Sequence, residues 1–351
     1  MNLIRIAIWI AAAVLPAAQA QPIAALQLNE RGNRAAEAGR YQEAIGLYRR
    51  AVDLWKEAGP AYDAHRAGTL LNLGVAEGGV GDRQGATSLM EEALALHRAT
   101  LGPGHERTVT NMNLLAANYL IVGRIDEAEA MFREALPAAR ALNPEGAQTA
   151  RALGGIGNVL LRRGRAREAI KPSEEALRIA IRAGGEDSLD TALAFTGVAQ
   201  AHLAAGDTTR ALPLLRRARS IYERALGGDH PRVAVLLSQE GVILMGDRKF
   251  ASAEDLLTCA VAALGRSCPK CAAERAIAED NLALLRMHQG RYGDAGDLLT
   301  DVVSLRESFT TPPGTELAGT LNLLARVREK QKRYQDAEKL KQRASTIQAY
   351  H

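Results

Sequence analysis

The chain has 351 residues, of which 47% are apolar, 24% are charged and only 4% are aromatic. The apolar fraction excludes an intrinsically disordered chain, and the scarcity of aromatic rings disfavours an aromatic-rich β-sandwich. The 44 basic and 40 acidic residues leave a net charge of +4 and are interspersed along the sequence. A dedicated nucleic-acid-binding surface is therefore not expected.

The N-terminus has the organisation of a secretory signal peptide. Arg5 precedes an apolar run over residues 6–15, Pro16 ends that run, and an Ala-Gln-Ala triplet supplies the small residues of a cleavage site. The run is shorter than the roughly 20 residues that span a bilayer. We therefore predict a signal peptide over residues 1–20, cleaved after Ala20, and a mature chain without a membrane span that is exported to the periplasm or the cell exterior. An uncleaved anchor or a buried helix is the alternative interpretation.

A six-residue turn motif recurs along the rest of the chain. GRYQEA at residues 39–44 returns as GRYGDA at residues 290–295 and as KRYQDA at residues 332–337. The first residue of this motif recurs every 41 or 42 residues, eight times in all, and an Ala follows it five positions later in every unit. These first residues are Gly39, Gly81, Gly123, Gly164, Gly206, Arg248, Gly290 and Lys332.

Gly or Ala also lies seven residues before each of these turn residues, and apolar side chains flank it at helical spacing. Each unit therefore predicts two amphipathic helices, an A helix before the turn and a B helix after it, that cross where their side chains are smallest. We expect the turn residue to end the A helix with a positive φ, which Gly adopts at little cost. The small residues of the A helices are Gly32, Gly74, Ala116, Gly157, Ala199, Gly241, Ala283 and Ala325.

This arrangement resembles the tetratricopeptide repeat, and a period of 42 residues is similar to the longer repeat of kinesin light chain. The connectors LGPGHERTV (101–109) and LGGDHPRVA (226–234) also look like those of kinesin light chain. The resemblance implies an all-α fold, a right-handed α-solenoid of helix-turn-helix repeats that occupies residues 21–351 as one domain, with the A helices on the concave side. The implied repeats span about 25–66, 67–108, 109–149, 150–191, 192–233, 234–275, 276–317 and 318–351.

Side-chain amides recur on the A helices, near positions where the resembling family contacts the backbone of a bound peptide. An amide both donates and accepts hydrogen bonds, so it can pair with the main chain of a peptide of any sequence. The resemblance therefore implies a protein or peptide partner in the concave groove; the alternative is that these amides are solvated or bonded to neighbouring helices. Arg151 and Arg162 are a candidate basic pair for a carboxylate, unless they only form a solvated face. The candidate groove amides are Asn72, Asn113, Asn158, Asn281 and Asn322.

The three cysteines are concentrated in one part of the chain. Cys268 and Cys271 form a CPKC loop between the sixth and seventh units, and Cys259 falls on the preceding B helix. In an exported protein we predict a structural bridge between Cys268 and Cys271 or inert thiols, and a free, buried Cys259. A redox site would need a thioredoxin-like βαβ context and a zinc site would need four ligands. Neither is evident in the sequence, but both stay open as alternatives.

No motif of catalysis or nucleotide binding is present in the sequence. A phosphate loop, a metalloprotease helix and a Gly-x-Ser-x-Gly elbow are all missing. The Gly-rich stretches at 74–81 and 154–159 lie in A-helix register and do not follow a strand. His105 and His230 share one connector position, which favours helix capping or packing over metal binding.

These features predict a non-enzymatic, exported scaffold for protein–protein interaction. It needs no cofactor and no metal, does not bind nucleic acid and has no membrane span in its mature chain. Two alternatives remain. One is a redox-responsive regulator that uses the Cys268–Cys271 loop, and the other is a factor that assembles the cell envelope.

Overall fold

The computed structural model describes residues 17–267, 271–309 and 314–349. Over these ranges the chain forms sixteen α-helices and one 3-10 turn, Pro60–Tyr62, and it contains no β-strand. The predicted all-α fold is confirmed. The chain divides into two compact units, Met1–Arg163 and Gly164–His351.

The first unit contains seven helices. They are α1 (Ala17–Glu37), α2 (Tyr41–Ala58), α3 (Asp63–Val80), α4 (Arg83–Leu101), α5 (Glu106–Ile121), α6 (Ile125–Leu142) and α7 (Ala147–Arg162). Helices α1 and α2, α3 and α4, and α5 and α6 form successive hairpins, and α7 packs against both α5 and α6. The A helices of this unit are therefore α1, α3, α5 and α7.

The second unit contains the remaining nine helices of the described ranges. They are α8 (Ala166–Gly184), α9 (Leu189–Ala204), α10 (Thr208–Leu226), α11 (Pro231–Gly246), α12 (Phe250–Ser267), α13 (Ala272–His288), α14 (Tyr292–Phe309), α15 (Thr315–Lys330) and α16 (Tyr334–Ala349). After α8, which packs on α9, the helices pair as four hairpins. The A helices of this unit are α9, α11, α13 and α15.

The small residues of the A helices lie at the helix crossings, as the sequence predicted. All eight are buried, and so are the Ala residues that follow the turns. A Cβ atom added at Gly32 would lie 2.5 Å from the ring of Tyr48, and one added at Gly241 would lie 2.7 Å from Cγ of Leu257. The close approach of these helices therefore requires their small side chains.

Each turn residue ends its A helix in the left-handed region, so the predicted positive φ is confirmed. Gly39 has a φ of 73°, and the N–H of Arg40 donates to the carbonyl of Ala35 at 2.8 Å, as in a Schellman motif. The two turns without Gly have the same conformation, with a φ of 61° at Arg248 and 60° at Lys332. A side chain makes this conformation less favourable, so these two turns are strained relative to the others.

Two connectors are stabilised by their own histidine side chains. His105 and His230 are the N-caps of α5 and α11, where Nδ1 accepts from the N–H of Arg107 at 3.1 Å and of Arg232 at 3.2 Å. The predicted capping role is confirmed. Burial and the neighbouring Arg232 lower the pKa of His230, which favours the neutral imidazole that such a cap needs.

Two buried carboxylates of the second unit replace apolar residues of the repeat pattern. Glu240 accepts from Nε of Arg219 at 2.6 Å, and Glu279 accepts from Nε of Arg275 at 2.7 Å. Each acid is almost fully buried, and its arginine supplies the opposite charge that burial requires.

The environment of Cys259 differs from the sequence prediction. This thiol is free, as expected, but it is exposed, so the predicted burial is wrong. Leu257 and Ala260 occupy the core-facing positions of α12, and Cys259 therefore lies on the solvent side of the helix. Cys268 lies outside the described residues, and its bridge to Cys271 stays a prediction.

Most of the predicted signal peptide, residues 1–16, lies outside the described residues, and the predicted cleavage site after Ala20 falls on α1. Where the structure describes the chain, no helix is long and apolar enough to cross a membrane. The same ranges hold no group of three or more His, Cys, Asp or Glu side chains placed to bind a metal ion.

Candidate peptide-binding faces of the two units

The A helices of each unit share an exposed face. Its positions lie six before, two before and one after the small crossing residue, and this spacing puts them on one side of a helix. All are exposed or half-buried except Gly155. The first face, in the first unit, comprises Leu26, Glu30, Asn33, Gly68, Asn72, Val75, Thr110, Leu114, Ala117, Arg151, Gly155 and Asn158. The second face, in the second unit, comprises Leu193, Gly197, Gln200, Val235, Gln239, Val242, Ile277, Asn281, Leu284, Gly319, Leu323 and Arg326.

Amides of the first face bond to one another. Nδ2 of Asn72 donates to Oδ1 of Asn33 at 3.1 Å and to Oδ1 of Asn29 at 3.4 Å. Oη of Tyr48 donates to the same oxygen of Asn33 at 2.8 Å. The structure therefore uses the donor group of Asn72 to join α3 to α1, which is the alternative role that the sequence left open for these amides.

Asn113 is the most buried of the predicted groove amides, with 4% of its surface exposed. Its Nδ2 donates to the backbone carbonyl and to Oε1 of Gln148, both at 3.1 Å, which ties α5 to α7. Both amide hydrogens are thus engaged, and only a rearrangement would present them to a ligand. A binding role for Asn113 stays a prediction.

Asn158, Arg151 and Arg162 are exposed side chains of α7. Their spacing of seven and four residues places them on one side of that helix, as a carboxylate site would need. Nη2 of Arg162 also donates to the carbonyl of Leu120 at 3.2 Å, so part of this guanidinium is committed to α5. The carboxylate-binding pair stays a prediction.

The second face is largely aliphatic. On α9, α11 and α13 it has nine positions, none of them charged, and five are Leu, Val or Ile. Leu193 is 54% exposed, Ile277 is 51% exposed and Val242 is 37% exposed. One amide side chain accompanies these residues on each of the three helices.

The amides of the second face differ from one another in their hydrogen bonds. Nδ2 of Asn281 donates to Oγ of Ser238 at 3.1 Å, which joins α13 to α11. Oε1 of Gln239, at the equivalent position of α11, is buried and has no hydrogen-bond partner. A buried carbonyl oxygen without a donor is unfavourable, so a rearrangement of this side chain that exposes the oxygen to a ligand N–H would be favourable.

Helix α15 supplies the charged end of the second face. Arg326 and Lys330 are exposed there, one turn apart, and Asn322 is half-buried one turn earlier. No acidic residue occupies a face position on this helix.

A buried ion pair lies directly beside the second face. Oδ2 of Asp280 accepts from Nη2 of Arg306 at 2.7 Å and from Oγ1 of Thr320 at 3.0 Å, which joins α13, α14 and α15. Burial raises the pKa of Asp280, while the guanidinium of Arg306 opposes that rise. This carboxylate is satisfied within the protein and does not contribute an unpaired charge to the face.

The aliphatic residues of the second face were not among the predicted site residues. Leu193, Val235 and Ile277 share one repeat position, and Val242 and Leu284 share another. Their common register was visible in the sequence, because the predicted Asn281 lies between two of these positions on the same helix.

Comparison with known sequences supports the repeat assignment. Profiles of the tetratricopeptide repeat match residues 25–58, 65–141, 148–224, 197–265 and 274–349. A curated relative from Arabidopsis thaliana, Protein KINESIN LIGHT CHAIN-RELATED 2, is 24% identical over 303 residues, which are 83% of this chain. The chain spans 45% of the length of that relative.

Solved structures show the same fold. BtubC (BKLC) from P. vanneervenii has a TM-score of 0.56 at 19% identity, over 64% of this chain and 91% of its own. A Rap protein complexed with Competence and Sporulation Factor has a TM-score of 0.63 at 14% identity, over 95% of this chain and 98% of its own. At these identities the similarity concerns the fold alone.

Proposed function

Because the chain belongs to the tetratricopeptide repeat family, we propose that it is a non-catalytic scaffold that binds a segment of another protein along its A helices. Repeats of this family bind protein or peptide partners and are generally not enzymes. The Rap protein that shares the fold was solved in complex with Competence and Sporulation Factor, which is consistent with a ligand-binding role for such a scaffold.

The exposed aliphatic residues of the second face are the observation that supports this proposal most directly. Leu193, Val242 and Ile277 occupy positions of the second face on three successive A helices and remain in contact with water. Covering them with a partner would remove apolar surface from water, which is favourable. The half-buried side chain of Gln239, whose Oε1 has no hydrogen-bond partner, lies on the same face.

Selection from a random-sequence peptide library displayed on phage tests the proposal. We expect the immobilised chain to enrich a set of related sequences over a blank surface. Synthetic versions of those peptides should slow amide deuterium exchange on the A helices. A selection that enriches nothing, repeated with independent preparations of the folded chain, would contradict the proposal.

The predicted groove amides of the first unit are tested by one combined variant. Asn72→Ala, Asn113→Ala and Asn158→Ala together should weaken peptide binding if the first face is the binding site. Unchanged affinity for the selected peptides would place binding elsewhere on the A helices. Circular dichroism must show the same helical content as in the wild type, because Asn72 and Asn113 also join helices.

We also propose that the protein acts outside the cytoplasm, on the basis of Arg5, the apolar run over residues 6–15 and the Ala-Gln-Ala cleavage pattern that ends at Ala20. Expression of the full chain in its host, followed by cell fractionation and N-terminal sequencing, tests this. We expect an exported chain that begins after Ala20. A chain in the cytoplasm that still begins at Met1 would overturn the proposal.

A further inference from the structure

The second face has no charged residue at its positions on three neighbouring A helices, α9, α11 and α13. We propose that α9, α11 and α13 bind an uncharged, apolar segment of a partner protein in extended conformation. This inference rests on the proposed scaffold function and adds the location of the site and the chemistry of its ligand.

The buried carboxylates beside this surface are already paired, so they do not attract a charged ligand. Glu240 and Glu279, each next to a face residue in the sequence, are held by Arg219 and Arg275. Asp280 is held in the same way by Arg306. A carboxylate or ammonium group of a ligand would lose its hydration over α9, α11 and α13 without gaining an opposite charge. Charge complementarity therefore favours an uncharged segment.

The amides of the second face match the hydrogen-bonding groups of an extended main chain. Gln200, Gln239 and Asn281 place one amide on each of the three helices, and the latter two share a repeat position. Oε1 of Gln239 is buried and has no partner within the described protein, and a rotation of this half-buried side chain would let a ligand N–H satisfy it. An extended segment leaves its backbone N–H groups available, whereas a helical segment uses them internally.

The surface around Gly197 is open. A Cβ atom added there would have no other atom within 4 Å, in contrast to Gly155 at the same repeat position of the first face. Leu193 precedes Gly197 by one turn on α9. The backbone of a ligand can therefore approach α9 closely at this point while an apolar side chain contacts Leu193.

Two substitutions at one repeat position provide a matched test. Val242 in the second face and Val75 in the first face each follow the small crossing Gly of their A helix and are 37% and 45% exposed. The phage selection is run with the wild-type chain and with the Val242→Asp and Val75→Asp variants. Leu193→Asp serves as a second variant of the proposed site, in case Val242→Asp reduces the helical content.

We expect the wild-type chain to enrich sequences with apolar residues at alternate positions and no charge among them. Synthetic peptides of those sequences should bind Val242→Asp and Leu193→Asp roughly tenfold or more weakly, because the new carboxylate must be desolvated against an apolar ligand. Binding to Val75→Asp should change less than about twofold, which corresponds to a small fraction of the binding free energy.

Three other outcomes would contradict the inferred site and ligand without contradicting the proposed scaffold function. They are enrichment of charged sequences, undiminished binding to both second-face variants, and an equal loss with Val75→Asp. Light scattering provides a further check. If the wild-type chain is a dimer that Val242→Asp dissociates without any change in peptide enrichment, the second face is an interface between copies of this chain and the inference fails. A selection that enriches nothing would instead contradict the proposed function itself.

Discussion

The first and second faces use the same repeat positions but differ in the partners of their polar side chains. In the first face, Asn72 bonds to Asn33, and Asn113, beside the face on α5, is buried against Gln148. In the second face, Asn281 bonds to Ser238, and Oε1 of Gln239 is buried without a partner, as Oδ1 of Asn113 is in the first unit. Repeat register determines which positions face outward, but the neighbouring helix determines whether their hydrogen-bonding groups remain available to a ligand.

The largest expected difference between the units is a loss of stability of the first unit at acidic pH. His97 is buried in the first unit, and burial together with Arg107 and His105 lowers its pKa from 6.5 to about 4. The imidazole of His97 is protonated near pH 6.5 in the unfolded chain but only near pH 4 in the folded chain. The contribution of neutral His97 to the free energy of unfolding is therefore fully present above pH 6.5 and is lost as the pH falls towards 4. We expect the first unit to lose on the order of 3 kcal/mol of unfolding free energy over this range.

Chemical unfolding at a series of pH values, monitored by deuterium exchange in α4 and α5, measures this loss of unfolding free energy. His97→Leu should remove the pH dependence between pH 6.5 and pH 4, because no titrating group remains at that position. A variant whose stability falls with pH as steeply as the wild type would show that His97 is not responsible.

The second largest expected effect is a difference in unfolding free energy between Ala substitutions at two Gly residues of the same repeat position. A Cβ atom at Gly155 would lie 2.3 Å from the ring of Phe132, which is itself buried, whereas one at Gly197 would contact nothing within 4 Å. We expect Gly155→Ala to lower the free energy of unfolding by about 2 kcal/mol through overpacking. Gly197→Ala should raise it by up to about 1 kcal/mol, since Ala favours the helix. Urea unfolding of both variants measures the difference, and equal changes of the same sign would contradict it.

The smallest expected effect concerns the turns. The first unit has Gly at its three turns, whereas the second unit has Arg248 and Lys332 at a positive φ. We expect Arg248→Gly and Lys332→Gly each to stabilise the second unit by about 1 kcal/mol, because Gly relieves the left-handed strain. The reverse change, Gly39→Arg, should destabilise the first unit by a similar amount. Thermal unfolding of the three variants checks the signs, and a destabilising Lys332→Gly would indicate that its side chain makes a compensating contact.

Much of the fold followed from side-chain size and spacing. The eight small crossing residues, the positive φ of the turn residues and the His105 and His230 caps were all predictable, because each depends on local geometry that one repeat position imposes. Cys259 shows the limit of this reasoning. It is adjacent to the core-facing Ala260, and a step of one residue turns a side chain through about 100° around the helix, from the core to the solvent.

The candidate site was predictable only in part. The sequence placed Asn72 and Asn281 at one repeat position, and the structure gives each a hydrogen bond to the preceding A helix. The sequence could not show that Asn113 donates to Gln148 or that Oε1 of Gln239 has no hydrogen-bond partner. Both facts depend on the side chains of a neighbouring helix.

The sequence by itself determined the repeated hairpin of this protein, because the period of small and apolar residues fixes where helices begin, cross and end. The tertiary structure decided which exposed side chains are already paired and which are open to a partner. Hydrogen bonding between residues about 40 positions apart, such as Asn72 with Asn33, requires the packed geometry of two hairpins, and no local pattern encodes that distance.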